Sequence, residues 1–80
     1  MARELVIGGR YRHFKGREYV VLDVVNDSNS EGDDIKKLVI YQAQYGDHQK
    51  WARELNEFLS ELDPEKQAAS GQKYRFEEID

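Results

Sequence analysis

Two stretches of the chain are almost continuously apolar and carry neither Gly nor Pro: YVVLDVV, Tyr19 to Val25, and LVIYQAQY, Leu38 to Tyr45. Both are rich in β-branched and aromatic residues, which pack well on a pleated surface, so both are predicted to be strands. In the first, Val20, Leu22 and Val24 alternate with Tyr19, Val21, Asp23 and Val25, leaving both faces mostly apolar, as in a strand that curls inside a small barrel. In the second, Leu38 and Ile40 alternate with Val39, Tyr41, Ala43 and Tyr45, and the face carrying Gln42 and Gln44 turns polar. A hairpin is expected ahead of them. RYRHF and EYVVL are separated by Lys15-Gly16-Arg17, and Gly16 supplies the positive φ a tight turn requires. Alternation then sets Tyr11 and His13 on one face of the leading strand and Arg10, Arg12 and Phe14 on the other.

Between the two long strands lies DSNSEGDD, residues 27–34, which resembles a calcium loop. Asp27, Asn29, Glu31 and Gly32 follow D-x-[DN]-x-[DN]-G in all but the Glu31 position. An EF-hand also needs helices on both sides and a Glu at the twelfth place, whose two oxygens complete the shell. The twelfth place here is Leu38 and the flanks are predicted strands, so the stretch is expected to be an acidic, solvated loop without metal.

Further on, Trp51, Leu55, Phe58, Leu59 and Leu62 fall on one helical stripe. On that reading Asp47 caps a helix and Asp63-Pro64 ends it; the competing reading runs a strand from Lys50 through Arg53 and starts the helix at Glu54. Residues 63–73, DPEKQAASGQK, form a polar loop. KYRFEEI, Lys73 to Ile79, alternates well enough to be a closing strand. The expected fold is all-β: one domain over 1–80, a small, partly open SH3-like barrel of four to five strands with one short helix.

Length and charge limit what such a domain does. Eighty residues bury a thin core, which disfavours a large ligand cavity. With 12 Lys and Arg against 16 Asp and Glu, the net charge is −4, which repels nucleic acid and anionic membranes at long range; a local basic patch is what would overcome it. The absence of Cys removes disulfides, thiolate metal sites and cysteine nucleophiles. MARELVIGG has an apolar run of only Leu5 to Ile7, too short for a signal peptide or a membrane span, so a cytoplasmic protein without membrane contact is expected.

The motifs YRHFKGREYVVL, Tyr45-Gly46, Trp51-Ala52-Arg53 and Arg75-Phe76 resemble a small bacterial single-domain family of unknown function whose members share Y-R-H-[FY]-K-G-x-x-Y-x-V-L, Y-G, W-x-R and R-F. The resemblance covers about residues 8 to 79. Members carry a His-Ser-Glu-Thr-like run where this chain has Asp27 to Ser30, and Tyr74 stands where they have Pro before R-F. They also place Pro after W-x-R, at the site of Glu54. Pro is tolerated at the first residue of a helix and not inside one, so the resemblance implies a helix that begins at Glu54.

The candidate chemistry is a cationic, aromatic surface. Arg10, Arg12, His13, Lys15 and Arg17 lie within eight residues with no acid among them, and Trp51, Arg53 and Arg75 can join them from other strands. Arginine forks pair with phosphate or carboxylate, and Tyr and Trp faces stack on bases or cations. The alternative is that the cations neutralise surface acids while the aromatics fill the core. The binding face is assigned to Tyr11, Arg12, His13, Tyr45, Trp51, Arg53 and Arg75. Tyr11, Tyr41, Tyr45 and Trp51 could instead form an aromatic cage for ammonium groups, the alternative being simple core packing. His13 and His48 are far apart and there is no H-x-x-x-H spacing, so no zinc site is expected; Gly8-Gly9 lacks a phosphate-loop ending, and no Ser has a paired base.

The expected function is a non-enzymatic binding module for an anionic ligand such as a nucleotide, RNA or an acidic group, with no cofactor. The alternative is a peptide or protein-interaction module that uses a sheet edge or an aromatic groove. An uncovered edge strand is consistent with a monomer or a weak dimer.

Overall fold

The computed structural model describes residues 3–79; Met1, Ala2 and Asp80 of the domain assigned to 1–80 lie outside the described residues. The fold is mostly β, as expected. Five antiparallel strands form one open sheet: β1 Arg10–His13, β2 Glu18–Asn26, β3 Lys37–Ala43, β4 Lys50–Glu54 and β5 Phe76–Ile79. Their order across the sheet is β4-β3-β2-β1-β5, so β4 and β5 are the two edges.

The β1–β2 hairpin turns through Lys15-Gly16, with Gly16 at φ 102° and the His13 N–H donating to Arg17 O at 2.8 Å. Tyr11 pairs with Tyr19, and Tyr19 with Ala43, so these three share the inner face. The β2–β3 register shifts between Val21 and Asp23, a bulge at Leu22. The extra residue sets Asp23 opposite Ile40 and Val24 opposite the buried Val39, so Val24 rather than Asp23 takes the inner face, and Leu22 is 37% exposed.

Two helices follow β4. The first, α1, spans Leu55–Phe58, one residue beyond the start implied by the family resemblance, and the strand reading of residues 50–53 holds. The second, α2, spans Pro64–Ser70 inside the segment expected to be a polar loop. Asp63-Pro64 therefore starts a helix as well as following one. The Asp63 carboxylate accepts from Lys66 N–H, Pro64 occupies the first turn, and Gly71 ends the helix at φ 78°. The closing strand is shorter than the expected 73–79 because Tyr74 makes only an isolated bridge to Glu61.

One face of the sheet is covered. Phe58 of α1 stacks on Phe76 of β5 with centroids 4.0 Å apart, and Tyr11, Tyr41, Val21 and Val39 complete the buried cluster. Tyr11 and Tyr41 both meet Phe58 edge-on at 5.4 Å, the geometry that sets a ring's positive edge on its neighbour's negative face. The N-terminal segment closes this core from outside the sheet. Arg3 donates to the Leu59 and Phe76 carbonyls, and Gly8 and Gly9 exchange main-chain bonds with Val21.

The acidic loop 27–34 joins β2 to β3 as a solvated turn. Asp27 Oδ1 accepts from Asn29 N–H, and Ser30 Oγ accepts from Lys36 N–H. Strands flank it on both sides, and among the described residues no group of His, Asp or Glu is arranged to hold a metal ion.

A candidate cationic and aromatic site

His13 ends β1 on the inner face and lies at the centre of the candidate site. Its ring stacks obliquely on Phe14 at 4.5 Å and meets Phe76 edge-on at 4.9 Å. Nδ1 accepts from the Lys15 N–H at 3.1 Å, which in the neutral ring leaves the proton on Nε2. Burial lowers the His13 pKa, and the charges of Arg53, Arg75 and Lys15 lower it further, from 6.5 to about 4. The ring is therefore neutral at pH 7 and surrounded by cations.

Arg53 reaches the site from β4. Val39 opposite Arg53, and Tyr41 opposite Trp51, put both β4 side chains on the inner face. Desolvation works against the Arg53 charge, but the hydrogen bond to Tyr41 Oη at 3.3 Å and the carboxylate of Glu57 raise its pKa. Its guanidinium lies 5.7 Å from the Phe76 ring. Arg75, just before β5, bonds Ser60 Oγ at 3.4 Å and lies 5.7 Å from the Phe14 ring.

Phe14 is a hub that the sequence reading set aside as part of the opposite face. Because β1 ends at His13, Phe14 leaves the strand alternation and its ring gathers Arg75, Lys66 at 5.8 Å and Lys15 at 6.0 Å. Lys66 was missed for a plain reason. It is brought there by α2, whose capping signals Asp63, Pro64 and Gly71 were present without any apolar stripe to announce a helix.

Beside this cluster Arg17 lies over the Tyr45 ring at 4.5 Å, and Tyr45 shares a 2.7 Å hydroxyl bond with Tyr19. Burial and that bond push the Tyr19 phenol up to about 12, so it is a neutral hydrogen-bonding group at any physiological pH. Tyr45 and Trp51 line a shallow cleft of about 280 Å³ together with Ala43, Gly46, Asp47 and Gln49. A larger cleft of about 450 Å³ lies between Asp33, Asp34 and Glu54, and its acids make it unsuited to an anion.

The seven residues assigned from the sequence thus divide. His13, Arg53 and Arg75 come together, while Tyr45 and Trp51 line the cleft formed with Ala43, Gly46, Asp47 and Gln49. Tyr11 is 1% exposed and its hydroxyl accepts from Val6 N–H, which makes it a core residue. Arg12 points to the outer face, opposite Glu18 and Glu77 in the ladder, where its Nε donates to the buried Gln72. Gln72 Nε2 in turn donates to the Arg12 and Tyr74 carbonyls, so Arg12 belongs to a structural clamp.

The fold and site together describe a small, mostly β domain with an open antiparallel sheet and a cationic, aromatic rim. Over residues 9–78 the chain matches the family described as "Protein of unknown function (DUF1653)", and it belongs to that family. No curated protein and no solved structure matches it significantly. The family match brings no enzymatic activity with it. Among the described residues no helix is long and apolar enough to cross a membrane.

Proposed function

We propose that this domain is a non-enzymatic binding module for an anionic ligand, with Arg75, Lys15, Arg17 and Arg53 supplying the charge and His13, Phe14 and Tyr45 the flat surfaces. The ligand class is a phosphate or carboxylate carried on a planar group, as in a nucleotide or a short RNA, in a bacterial cytoplasm. One observation supports the reading: among the described residues Arg75, Lys15 and Arg17 make no ion pair, although the chain has more acids than bases; Arg53 is paired with Glu57. Cations that serve only to neutralise surface acids would be found beside them, as Arg10 is beside Glu18. Cations gathered close enough to depress His13 repel one another, and an anion relieves that repulsion. Arg75 and Arg53 provide planar forks, and Phe14 and Tyr45, already covered by guanidinium groups, offer the stacking geometry that a base or a sugar-borne phosphate would share.

The test uses fluorescence anisotropy with a labelled single-stranded RNA and inorganic pyrophosphate as competitor. Binding is expected to weaken as salt rises from 50 to 200 mM (about tenfold for a few phosphate contacts), and Arg75→Ala is expected to weaken it further by about tenfold. Unchanged affinity in Arg75→Ala and in Lys15→Ala, with both proteins folded, would refute the reading.

A further inference from the structure

The free edge of β4 carries the second unexplained feature. β4 ends the strand order, so one side of its backbone faces no neighbouring strand. Ala43 N–H donates to Gln49 O at 2.9 Å, and these two residues continue the Gln42–Lys50 register. Hydrogen-bonded pairs alternate in an antiparallel ladder, so Trp51 and Arg53 turn their main-chain groups toward β3. The N–H and C=O of Lys50 and Ala52, and the N–H of Glu54, point outward. The Glu54 carbonyl is at the cap position of α1.

Natural edge strands are protected by Pro, by bulges or by unfavourable charge. β4 has no Pro, its register with β3 is unbroken, and Trp51 is 50% exposed. Its sequence, Lys50-Trp51-Ala52-Arg53-Glu54, is also complementary to itself when reversed. Laid antiparallel on a second copy about Ala52, it sets Lys50 against Glu54 and Trp51 against Arg53. The other edge does the opposite: β5 paired with itself sets Glu77 against Glu78.

We propose that β4 is a homodimer edge, on which a second copy of this chain adds its own β4 across a two-fold axis through the Ala52 pair. Ala52 N–H and C=O bond reciprocally to Ala52 of the partner subunit, and Glu54 N–H donates to the carbonyl of the partner's Lys50. The outward-facing register agrees with this, because Ala52, Lys50 and Glu54 are the residues whose main-chain groups are free on that side. A two-fold axis perpendicular to the sheet keeps the inner faces on one side. Lys50 and the partner's Glu54 then pair on the outer face, and Arg53 meets the indole of the partner's Trp51 on the inner face, at a non-hydrogen-bonded position where side chains are closest. Each cationic rim would thereby gain an aromatic wall from the other copy.

The 80-residue chain is tested by sedimentation equilibrium from about 10 μM to about 1 mM, the range in which a small interface assembles. The wild type is expected to dimerise within it. Lys50→Glu sets like charges opposite and is expected to weaken the dimer about tenfold, while the double variant Lys50→Glu with Glu54→Lys restores it. Ala52→Pro removes the outward N–H without touching the β3–β4 bonds and is expected to leave a folded monomer, as judged by circular dichroism. A wild type that remains monomeric throughout that range overturns the proposal. So does a dimer whose strength is unchanged in both Lys50→Glu and Ala52→Pro.

Discussion

His13 is where residue-level chemistry leads to a measurable consequence. In the unfolded chain its ring takes up a proton near pH 6.5, and in the folded chain only near pH 4, because burial and three neighbouring cations oppose the charge. Above pH 6.5 both states hold the neutral ring and His13 adds nothing to the pH dependence. As the pH falls from 6.5 to 4 the unfolded state binds a proton that the folded state refuses, so stability is lost across that window and levels off below it. The ring is partly open to solvent, and screening reduces the loss to on the order of 1 kcal/mol. Urea titrations at pH 7 and pH 4.5 are expected to show this loss in the wild type. In His13→Asn, whose amide oxygen can still accept from Lys15 N–H, the difference between the two pH values is expected to shrink by that amount. An imidazole that titrates near 6.5 in the folded protein would remove the proposed cationic environment.

At the scale of elements, α2 shows how local signals act without hydrophobic patterning. None of its residues is buried, so packing supplies little of its stability and its caps supply more. The Asp63 carboxylate accepts from Lys66 N–H at 2.9 Å, and Asp63→Ala is expected to cost about 1 kcal/mol in thermal or urea unfolding. It should also loosen Lys66, and with it one of the cations around Phe14. The same element marks the limit of what could be read in the chain. Strands β2 and β3 were legible because Val20 to Val25 and Leu38 to Tyr41 have strong β preference, and the start of α1, to within one residue, because the family resemblance places Pro at the site of Glu54 and Pro is excluded from helix interiors. Residues 64–70 have no apolar stripe, and so hydrophobic patterning gives no sign of the helix framed by Asp63, Pro64 and Gly71. Arg12 is a different case. Strand alternation already separated it from His13, yet its motif grouped it with the other cations; the structure follows the alternation and sets Glu18 and Glu77 opposite it. Phe14 reversed that lesson, since the end of β1 released it from the alternation that the sequence assigned to it.

For the whole molecule, the decisive property is a local gathering of cations on a chain of net negative charge. The net charge is −4, with Asp27, Glu31, Asp33 and Asp34 together in one loop, while Lys15, Lys66 and Arg75 gather around Phe14, Arg17 lies over Tyr45 and Arg53 beside Phe76, Arg53 and Lys66 being paired with Glu57 and Asp63. A ligand approaching from a distance meets a repulsive field and, once within a Debye length of about 8 Å, an attractive one. On the proposed reading, a compact anion that fits the rim is bound through these short-range contacts. The most direct test is an amide-shift titration of the labelled protein with inorganic pyrophosphate at low and at physiological salt. Shifts confined to His13, Phe14, Lys15, Arg17, Arg53 and Arg75, and diminished by salt, are the predicted result; a rim that stays still at millimolar pyrophosphate in low salt, or shifts that appear only elsewhere in the chain, would contradict it.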